Sequence, residues 1–419
     1  MMTLTSMPKY EAYKDSGVEW LGEIPVGWNI KPGLVAFSEN KRSNKGMKQD
    51  VVLSLSYGKI IIKPADKLVG LVPESFETYQ IVAPDDIIIR CTDLQNDQTS
   101  LRTGLANDHG IITSAYLNLK VKGLYSARYL HYYLHALDTT KVIYRFGSGL
   151  RQNLSYLDFK RLPVFDISWE TQTAIANFLD TKTAQIDEAI AIKEQQIALL
   201  NERKQILIQQ AVTQGLDPTV PMKDSGVEWI GKIPEHWKLM SLRYAFDFLN
   251  NRRIPLSAPE REKRQGEYPY YGASGIIDYV DDYIYDEDLI LIAEDGANLL
   301  SKSTPLAFVA TGKYWVNNHA HIIKPKFKGF KYWAEFLSGL DYTTYISGAA
   351  QPKLTRENLG SVTLTVPPHN EIEEITSYIV NIEPAINRAV DLLKDQINKL
   401  KEYKTTLINS AVTGKIKVV

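Results

Sequence analysis

The chain has 419 residues, of which 44% are apolar and 23% charged, and its formal net charge is −1. This composition excludes a disordered or fibrous chain, and the length predicts two or three domains rather than one core. No apolar run is long enough to cross a membrane, and the first residues lack the apolar segment of a signal peptide. The single cysteine, Cys91, excludes an internal disulfide and is interpreted as a buried apolar residue. We therefore expect a cytoplasmic protein.

A segment of 15 residues occurs twice in the chain. Lys14 to Trp28 reads KDSGVEWLGEIPVGW and Lys223 to Trp237 reads KDSGVEWIGKIPEHW, with 11 of 15 residues identical. The triplet Ala-Val-Thr at 211–213 also recurs at 411–413. Chance does not produce such matches, so the sequence predicts one module present in two copies.

The regions between the repeated segments carry strand patterns but share little sequence. In the first, IVAPDDIIIRC (81–91) and GIITSAYLNLK (110–120) are apolar and β-branched, as are EDLILIAED (287–295) and YWVNNHAHIIK (314–324) in the second. Residues 41–46 and 250–253 are predicted loops. Residues 29–167 carry 18 basic and 13 acidic residues, whereas residues 238–367 carry 15 of each. The pattern predicts two mixed α/β globules with different binding surfaces on a common frame.

Two long helices are predicted from apolar residues that recur at steps of four and three, which is a coiled-coil seam. The seam positions of the first helix are Ile186, Ile190, Lys193, Ile197, Leu200, Lys204, Leu207 and Ala211. Those of the second helix lie 200 residues later, at Ile386, Val390, Leu393, Ile397, Leu400, Lys404, Leu407 and Ala411. About 30 residues per helix would give a length of roughly 45 Å. We expect an antiparallel pair within the chain, with homodimerisation through the same seam as the alternative.

A proline near the second seam predicts a helix boundary. Pro384 is expected at the start of the long helix, where its missing N–H costs nothing. A shorter helix of about Glu371 to Asn381 would then precede it, with Asn370 and Glu373 as its capping pair.

No catalytic motif is found in the sequence. A phosphate-binding loop is missing, and residues 146–149 lack the strand and helix expected around an S-adenosylmethionine turn. His319 and His321 could share one face of a strand as metal ligands, but no further ligand has suitable spacing, so a loop or structural role is preferred. Asp85 and Asp86 are predicted to form a turn before a strand rather than a nuclease carboxylate pair. We expect neither a catalytic nor a metal site.

Polar side chains on predicted loops suit the reading of DNA bases, because Arg recognises guanine and Asn or Gln recognises adenine in the major groove. The candidates are Arg90, Thr92, Gln95, Asn96 and Gln98 in the first region, and Arg252, Arg253, Asn298, Lys302, Asn317, Asn318 and His319 in the second. The recurring Ser-Gly-x-x-Gln turns add Arg151, Gln152, Gln351 and Lys353, for which phosphate contacts are plausible. By composition alone, ordinary solvated loops remain the alternative.

These features together resemble the specificity subunit of type I restriction-modification systems. The resemblance rests on the paired KDSGVEW segments, the Ser-Gly-x-x-Gln turns, the helices ending in Ala-Val-Thr and the joining residues 215–218, and it covers essentially the whole chain. It implies a non-catalytic subunit in which two target-recognition domains each read one half of a split, asymmetric DNA site. One departure is that Glu170-x-Gln172 has no glutamine counterpart in residues 370–374.

The resemblance also implies an architecture and partners. The fold would be α/β (α+β), with a pseudo-two-fold internal repeat and two long antiparallel coiled-coil helices. Its parts would be residues 1–167 and 215–368 as target-recognition domains, and 168–214 and 369–419 as helical spacers. Implied partners are double-stranded DNA, two methyltransferase subunits docked on the helices, and restriction subunits. No cofactor is expected in this chain, since S-adenosylmethionine, ATP and Mg²⁺ would be used by the partner subunits. The residues alone also permit a coiled-coil scaffold or, less well, a metal-dependent nuclease.

Overall fold

The computed structural model of the chain describes residues 7–64, 66, 75–97, 99–146, 153–228, 230–348 and 351–418. Contacts within the chain divide it into two compact units. Unit 1 comprises residues 1–193 and 394–419, and unit 2 comprises residues 194–393. Each unit therefore combines one globular region with part of each long helix. The four-part division predicted from the sequence is a different partition and stays a prediction.

Unit 1 contains short strands, two short helices and the beginning of a long helix. In chain order the elements are β1 (Tyr13–Asp15), β2 (Glu23–Pro25), β3 (Asn29–Pro32), β4 (Phe37–Glu39), β5 (Leu53–Ser56), β6 (Lys59–Ile62), β7 (Gln80–Val82), β8 (Asp86–Ile89), β9 (Thr103–Leu105), β10 (Gly110–Ile112), β11 (Leu117–Val121), α1 (Ala127–Thr139), α2 (Tyr156–Arg161), β12 (Pro163–Asp166) and α3 (Trp169–Gln214), which continues into unit 2.

Unit 2 repeats this arrangement with several longer strands. Its elements are β13 (Met222–Asp224), β14 (Lys232–Pro234), β15 (Lys238–Ser241), α4 (Leu242–Ala245), β16 (Phe246–Phe248), α5 (Ala258–Lys263), β17 (Gln265–Gly272), β18 (Gly275–Val280), β19 (Tyr285–Asp286), β20 (Leu289–Ala293), α6 (Asn298–Ser301), β21 (Ala307–Ala310), β22 (Lys313–Val316), β23 (Ala320–Pro325), α7 (Phe330–Gly339), β24 (Ile346–Ser347), β25 (Lys353–Leu354), α8 (Arg356–Ser361), β26 (Thr363–Val366) and α9 (His369–Val412), which continues into unit 1.

The two units share one sheet topology. The central sheet has the order β4-β11-β8-β9 in unit 1 and β16-β23-β20-β21 in unit 2, and both are antiparallel. The second sheet of unit 2 has the order β18-β17-β22-β19, with β17 and β22 parallel. In unit 1 the hairpin β5–β6 and the pair β7–β10 occupy the same positions, joined by a parallel bridge between Val52 and Ile111. Two regions of dissimilar sequence thus have the same fold.

The repeated 15-residue segment joins each globular region to the end of a long helix. It forms a hairpin, β1–β2 in unit 1 and β13–β14 in unit 2, followed by a buried tryptophan. Trp28 packs against Gly414, just after α9, and Trp237 packs against Gly215, just after α3. Both glycines have left-handed φ values, and a Cβ at Gly414 would lie 3.1 Å from the Trp28 ring. The segment is repeated because the same joint is built twice.

The Ala-Val-Thr triplet at each helix end accepts a buried hydrogen bond from the globular region. The hydroxyl of Tyr129 in α1 donates to the Val412 carbonyl at 3.0 Å, and that of Tyr332 in α7 donates to the Val212 carbonyl at 3.1 Å. Carbonyls in the last turn of a helix have no donor within the helix, so these tyrosines satisfy them. Burial raises the pKa of both tyrosines, which keeps the hydroxyls protonated.

We predict that Tyr332→Phe destabilises the chain by about 1 kcal/mol, because the Val212 carbonyl loses its donor while the ring volume is kept. The measurement is the midpoint of urea unfolding. Tyr244→Phe is the matched control, since Tyr244 is 65% exposed, and it should leave the midpoint unchanged. Equal midpoints for the Tyr332 variant and the wild type would show that this bond does not stabilise the joint.

The two long helices are longer than predicted, and the predicted break at Pro384 is wrong. Helix α3 has 46 residues and α9 has 44, with Pro384 inside α9. At about 1.5 Å per residue, 46 residues extend roughly 69 Å rather than 45 Å. Asn370 lies within the first turn, so the predicted capping pair is also wrong. The helix continues because its apolar face stays buried on both sides of the proline, at Ile379 and at Val390.

The predicted antiparallel pairing is confirmed by contacts within the units. In unit 1, Lys404 binds the Asp187 carboxylate at 2.6 Å and Lys193 binds the Gln396 side chain at 2.5 Å. In unit 2, Lys204 donates to Asn387 at 3.0 Å, which repeats the Lys404–Asp187 pair at an offset of 200 residues. Seam positions such as Val390, Ile397, Leu400 and Leu407 are buried. The seam is therefore used within the chain, and its lysines fix the register of the pair.

Candidate nucleic-acid interface

Each central sheet has one edge at which the loops of its unit collect, which we call the loop edge. Neighbouring antiparallel strands end and begin side by side, so the loops that join them meet there. The loop edge of unit 1 consists of residues 40–52, 90–102 and 113–116, and that of unit 2 consists of residues 249–264, 294–306 and 317–319. Sixteen residues were predicted as DNA contacts, and those that the structure describes lie in these loops or in the adjoining segment 351–353.

In unit 1 the predicted residues Arg90, Thr92, Gln95 and Asn96 lie together on the loop between β8 and β9. The side chains of Thr92, Gln95 and Asn96 are exposed. Arg90 is half-buried and pairs with Asp97 at 3.0 Å, so it is held in the loop rather than free in solvent. The predicted residues Gln98, Arg151 and Gln152 lie outside the described residues.

The residue that orders this loop, Arg102, was not predicted from the sequence. Its side chain is fully buried, and its guanidinium donates to the backbone carbonyls of Arg90, Thr92, Asp93 and Asp97 and to the Tyr144 hydroxyl. A buried cation is stable only when its donors are paired, and here every nitrogen has a partner. Arg102 therefore fixes the backbone that carries Thr92, Gln95 and Asn96. A lone arginine before a strand gives no sequence signal of this role.

The carboxylate of Asp86 anchors a second loop in unit 1. One of its oxygens accepts hydrogen bonds from Asn40 at 3.0 Å, from Arg42 at 2.7 Å and from Asn118 at 3.2 Å. The side chain is buried at the start of β8, and Asp85 before it adopts a left-handed turn. Within the described residues no group of three acidic, histidine or cysteine side chains could hold a metal. These contacts favour the predicted structural role of the pair over a nuclease site.

In unit 2 several predicted residues converge on two acidic residues at the end of β20. His319 binds the Asp295 carboxylate at 2.9 Å, and Lys353 lies 3.5 Å from the Glu294 carboxylate. Arg253 binds Glu294 at 2.6 Å and also donates to the carbonyls of residues 318 and 320. Like Arg102 in unit 1, Arg253 is used to order the loop edge. Of these residues His319 and Lys353 are exposed, as are the predicted residues Asn318 and Gln351 near them in sequence.

The other predicted residues of unit 2 make local contacts. The Asn298 side chain closes the turn to Thr304, and Lys302 donates to the Leu340 carbonyl at 3.0 Å. Arg252 pairs with Glu287 at 2.9 Å. Asn317 is buried, and its side-chain oxygen accepts the backbone N–H of His319 at 2.8 Å. These residues shape the loop edge, and their contact with a ligand stays a prediction.

The two histidines considered as metal ligands have separate structural roles. His321 is buried, with one ring nitrogen 2.7 Å from the Leu354 carbonyl and the other 2.8 Å from the Asn250 amide. Desolvation lowers the pKa of His321, so the ring is neutral and accepts from the amide while donating to the carbonyl. His319 lies before β23 and faces Asp295 instead. The pair does not share a face, because only His321 belongs to the strand.

The single cysteine has the buried position predicted for it. Cys91 lies next to the loop ordered by Arg102, and its backbone carbonyl accepts the N–H of Leu154 at 2.9 Å. Burial raises the pKa of its thiol to about 12, which keeps the thiol protonated and unreactive at neutral pH.

Comparison with known proteins relates this architecture to one family. Residues 234–402 match the family model described as the type I restriction modification DNA specificity domain. A putative type I restriction enzyme specificity subunit of Haemophilus influenzae is 32% identical over 134 residues, which cover 32% of this chain and 34% of that protein. The chain thus aligns with about a third of the length of this curated relative, 34%.

Two solved structures share the fold. A chain from a study of complex assembly and conformational transition in a type I restriction-modification system is 13% identical, with a TM-score of 0.67 over 93% of this chain and 98% of that one. The HsdS subunit from Thermoanaerobacter tengcongensis is 14% identical, with a TM-score of 0.50 over 94% and 98% of the two chains. These likenesses confirm the predicted fold class, and the family match supports the resemblance over residues 234–402. In the part of the chain that the structure describes, no helix is long and apolar enough to cross a membrane.

We predict that Arg102→Leu destabilises the chain by roughly 3 kcal/mol, because the loop carbonyls lose a charged donor that is buried. Hydrogen exchange of the backbone amides of residues 92–97 should accelerate, which mass spectrometry can measure. Arg90→Gln is the control, since it removes only the partly exposed pair with Asp97, and it should cost at most about 1 kcal/mol. Unchanged exchange in the Arg102 variant would show that the loop is ordered by other contacts.

Proposed function

We propose that this chain, which is similar to type I restriction-modification specificity subunits, reads a split DNA site with one loop edge on each half. The observation that carries the proposal is that two units with the same strand order have unlike residues at the same edge. Unit 1 has Thr92, Gln95 and Asn96 exposed there, whereas unit 2 has Asn318, His319 and Lys353. Two units with the same sheet topology but different exposed side chains suit a DNA site whose two halves differ in sequence.

The chain is proposed to act with partner subunits rather than alone. Its net charge of −1 gives little attraction to phosphates over the whole chain, although residues 29–167 are more basic than residues 238–367. Two methyltransferase subunits bound to the helix pair would supply further phosphate contacts, and restriction subunits would complete the assembly. The proposal assigns S-adenosylmethionine, ATP and Mg²⁺ chemistry to those partners and recognition to this chain.

Exchange of one globular region tests independent reading. Replacing residues 29–146 with the equivalent region of a relative should change one half of the methylated motif and leave the other half and the spacer unaltered. Sequencing that detects methylated bases, in cells that carry the methyltransferase subunits, gives the motif. Exchange of residues 238–346 is the reciprocal control and should change only the other half. A change in both halves from either exchange would contradict independent reading.

The length of the helix pair is proposed to set the unread spacer between the two halves. Inserting seven residues into both helices, after Lys193 and after Leu393, adds one heptad of about 10 Å and preserves the seam. The spacer of the methylated motif should lengthen while the bases read stay the same. The control is an insertion of seven Gly and Ser residues after the exposed Gly123. It should change neither the spacer length nor the bases that are read. A spacer of unchanged length in the helix variant would show that the helix pair does not set the distance between the two halves.

A further inference from the structure

One residue of unit 1 combines backbone strain with nearly complete exposure. Tyr57 and Gly58 form the two-residue turn of the hairpin β5–β6, in which Ser56 pairs with Lys59. Their φ values of 47° and 76° are both left-handed, as in a type I′ turn, which favours Asn-Gly. A tyrosine is disfavoured in this conformation, and its side chain is 92% exposed, so packing does not compensate. Backbone strain at a residue whose side chain is not packed suggests that the side chain contacts a molecule outside the chain.

The turn lies beside the loop edge of unit 1. A Cβ at Gly58 would be 3.0 Å from the side chain of Leu101, which closes the loop that carries Thr92, Gln95 and Asn96. The hairpin also packs on β9, since a Cβ at Gly104 would be 2.7 Å from Leu55. Tyr57 is therefore next to the loop that we propose to read DNA.

The surroundings of Tyr57 favour DNA over a protein partner. Lys59 and Lys63 follow the turn, and residues 51–64 contain no acidic side chain. The turn also borders a cavity lined by Asp180 and Asp187, but both carboxylates are already paired, with Arg128 and Lys404. Ile61 and Ile62 on β6 are 44% and 53% exposed. An aromatic ring and apolar groups between cations match a nucleic acid, whose phosphates attract the cations while base and sugar surfaces accept the apolar groups.

The equivalent hairpin of unit 2 lacks this combination. Strands β17 and β18 occupy the same position in the sheet, and their turn residues are Ala273 and Ser274. Residues 265–280 contain Glu267 and Asp278 but no lysine or arginine. The combination of an exposed aromatic ring and lysines is therefore specific to unit 1, although the hairpin is common to both units.

We propose that Tyr57 is a DNA-contacting residue of unit 1, with its ring against a base or sugar of the half-site and Lys59 and Lys63 near adjacent phosphates. The inference rests on the proposed function, because it assumes that the loop edge of unit 1 faces DNA. It adds a residue outside the predicted reading loops. It also explains why a tyrosine occupies a turn position that favours asparagine.

The test separates binding from folding through Tyr57→Asn. Asparagine suits the type I′ turn, so the unfolding temperature should stay equal or rise, whereas DNA affinity should fall on the order of tenfold. Fluorescence anisotropy at fixed salt, with the full chain, its methyltransferase subunits and a duplex carrying the mapped motif, measures affinity. Tyr244→Asn is the matched control, since Tyr244 is 65% exposed and precedes β16 at the end opposite the loop edge. It should leave affinity unchanged.

Two results would overturn the inference. Unchanged affinity in the Tyr57 variant would exclude a contact, and weaker binding together with a lower unfolding temperature would assign Tyr57 a structural role. A photoreactive p-benzoylphenylalanine at position 57 in the assembled complex identifies the neighbour directly. Crosslinking to the duplex is expected, and crosslinking to a protein subunit would contradict it. If exchange of residues 29–146 changes one half-site while position 57 never reaches DNA, only this inference fails and the proposed function stands.

Discussion

The joint between a globular region and a helix end is the contact on which the rest of each unit depends. In unit 1 the ring of Trp28 packs on Gly414 and the Tyr129 hydroxyl reaches the Val412 carbonyl. In unit 2 Trp237 packs on Gly215 and Tyr332 reaches Val212. The joint needs a glycine with left-handed φ, a flat aromatic ring and one buried donor, and these requirements leave little room for substitution. Of the residues that form it, the tryptophan and the valine of each joint lie in the segments that the sequence repeats.

This constraint has a consequence for the course of the chain. The joint of unit 2 links neighbouring segments, since Gly215 follows α3 and precedes the second repeat. The joint of unit 1 links the two ends of the chain, and the N–H of Lys417 donates to the Pro8 carbonyl at 2.7 Å. The two joints are equivalent, but the helix end and the repeated segment are neighbours in the sequence only in unit 2. In unit 1 they lie far apart in the sequence, as Tyr13 and Lys415 show with a separation of 402 positions. Both globular regions end up fixed to the helices in the same way, which leaves their loop edges free to differ.

The repeated segments, the long helices and the central strands were predictable from the sequence, whereas the contacts that hold the loops in place were not. The repeats, the seam residues such as Ile397 and Leu400 and the strands β8 and β20 were expected because burial imposes regular patterns on them. The helix boundary predicted at Pro384 is wrong, because burial of the apolar face that continues past the proline outweighs the preference of proline for a helix start. Arg102 and Asp86 have no pattern, because their partners are backbone carbonyls or amides brought close only by the fold. Exposed candidates such as Gln95 and Asn318 were found by residue type alone, so their contacts stay predictions.

The central claim is that this chain, and not its partner subunits, determines which split DNA motif is read. The most direct test is to map methylated bases across the genome in otherwise identical cells that contain or lack the chain, with the methyltransferase subunits present in both. We expect one asymmetric motif of two halves with an unread spacer, modified only when the chain is present. A methylation pattern that is the same with and without the chain would contradict sequence reading by this chain and favour a scaffold role.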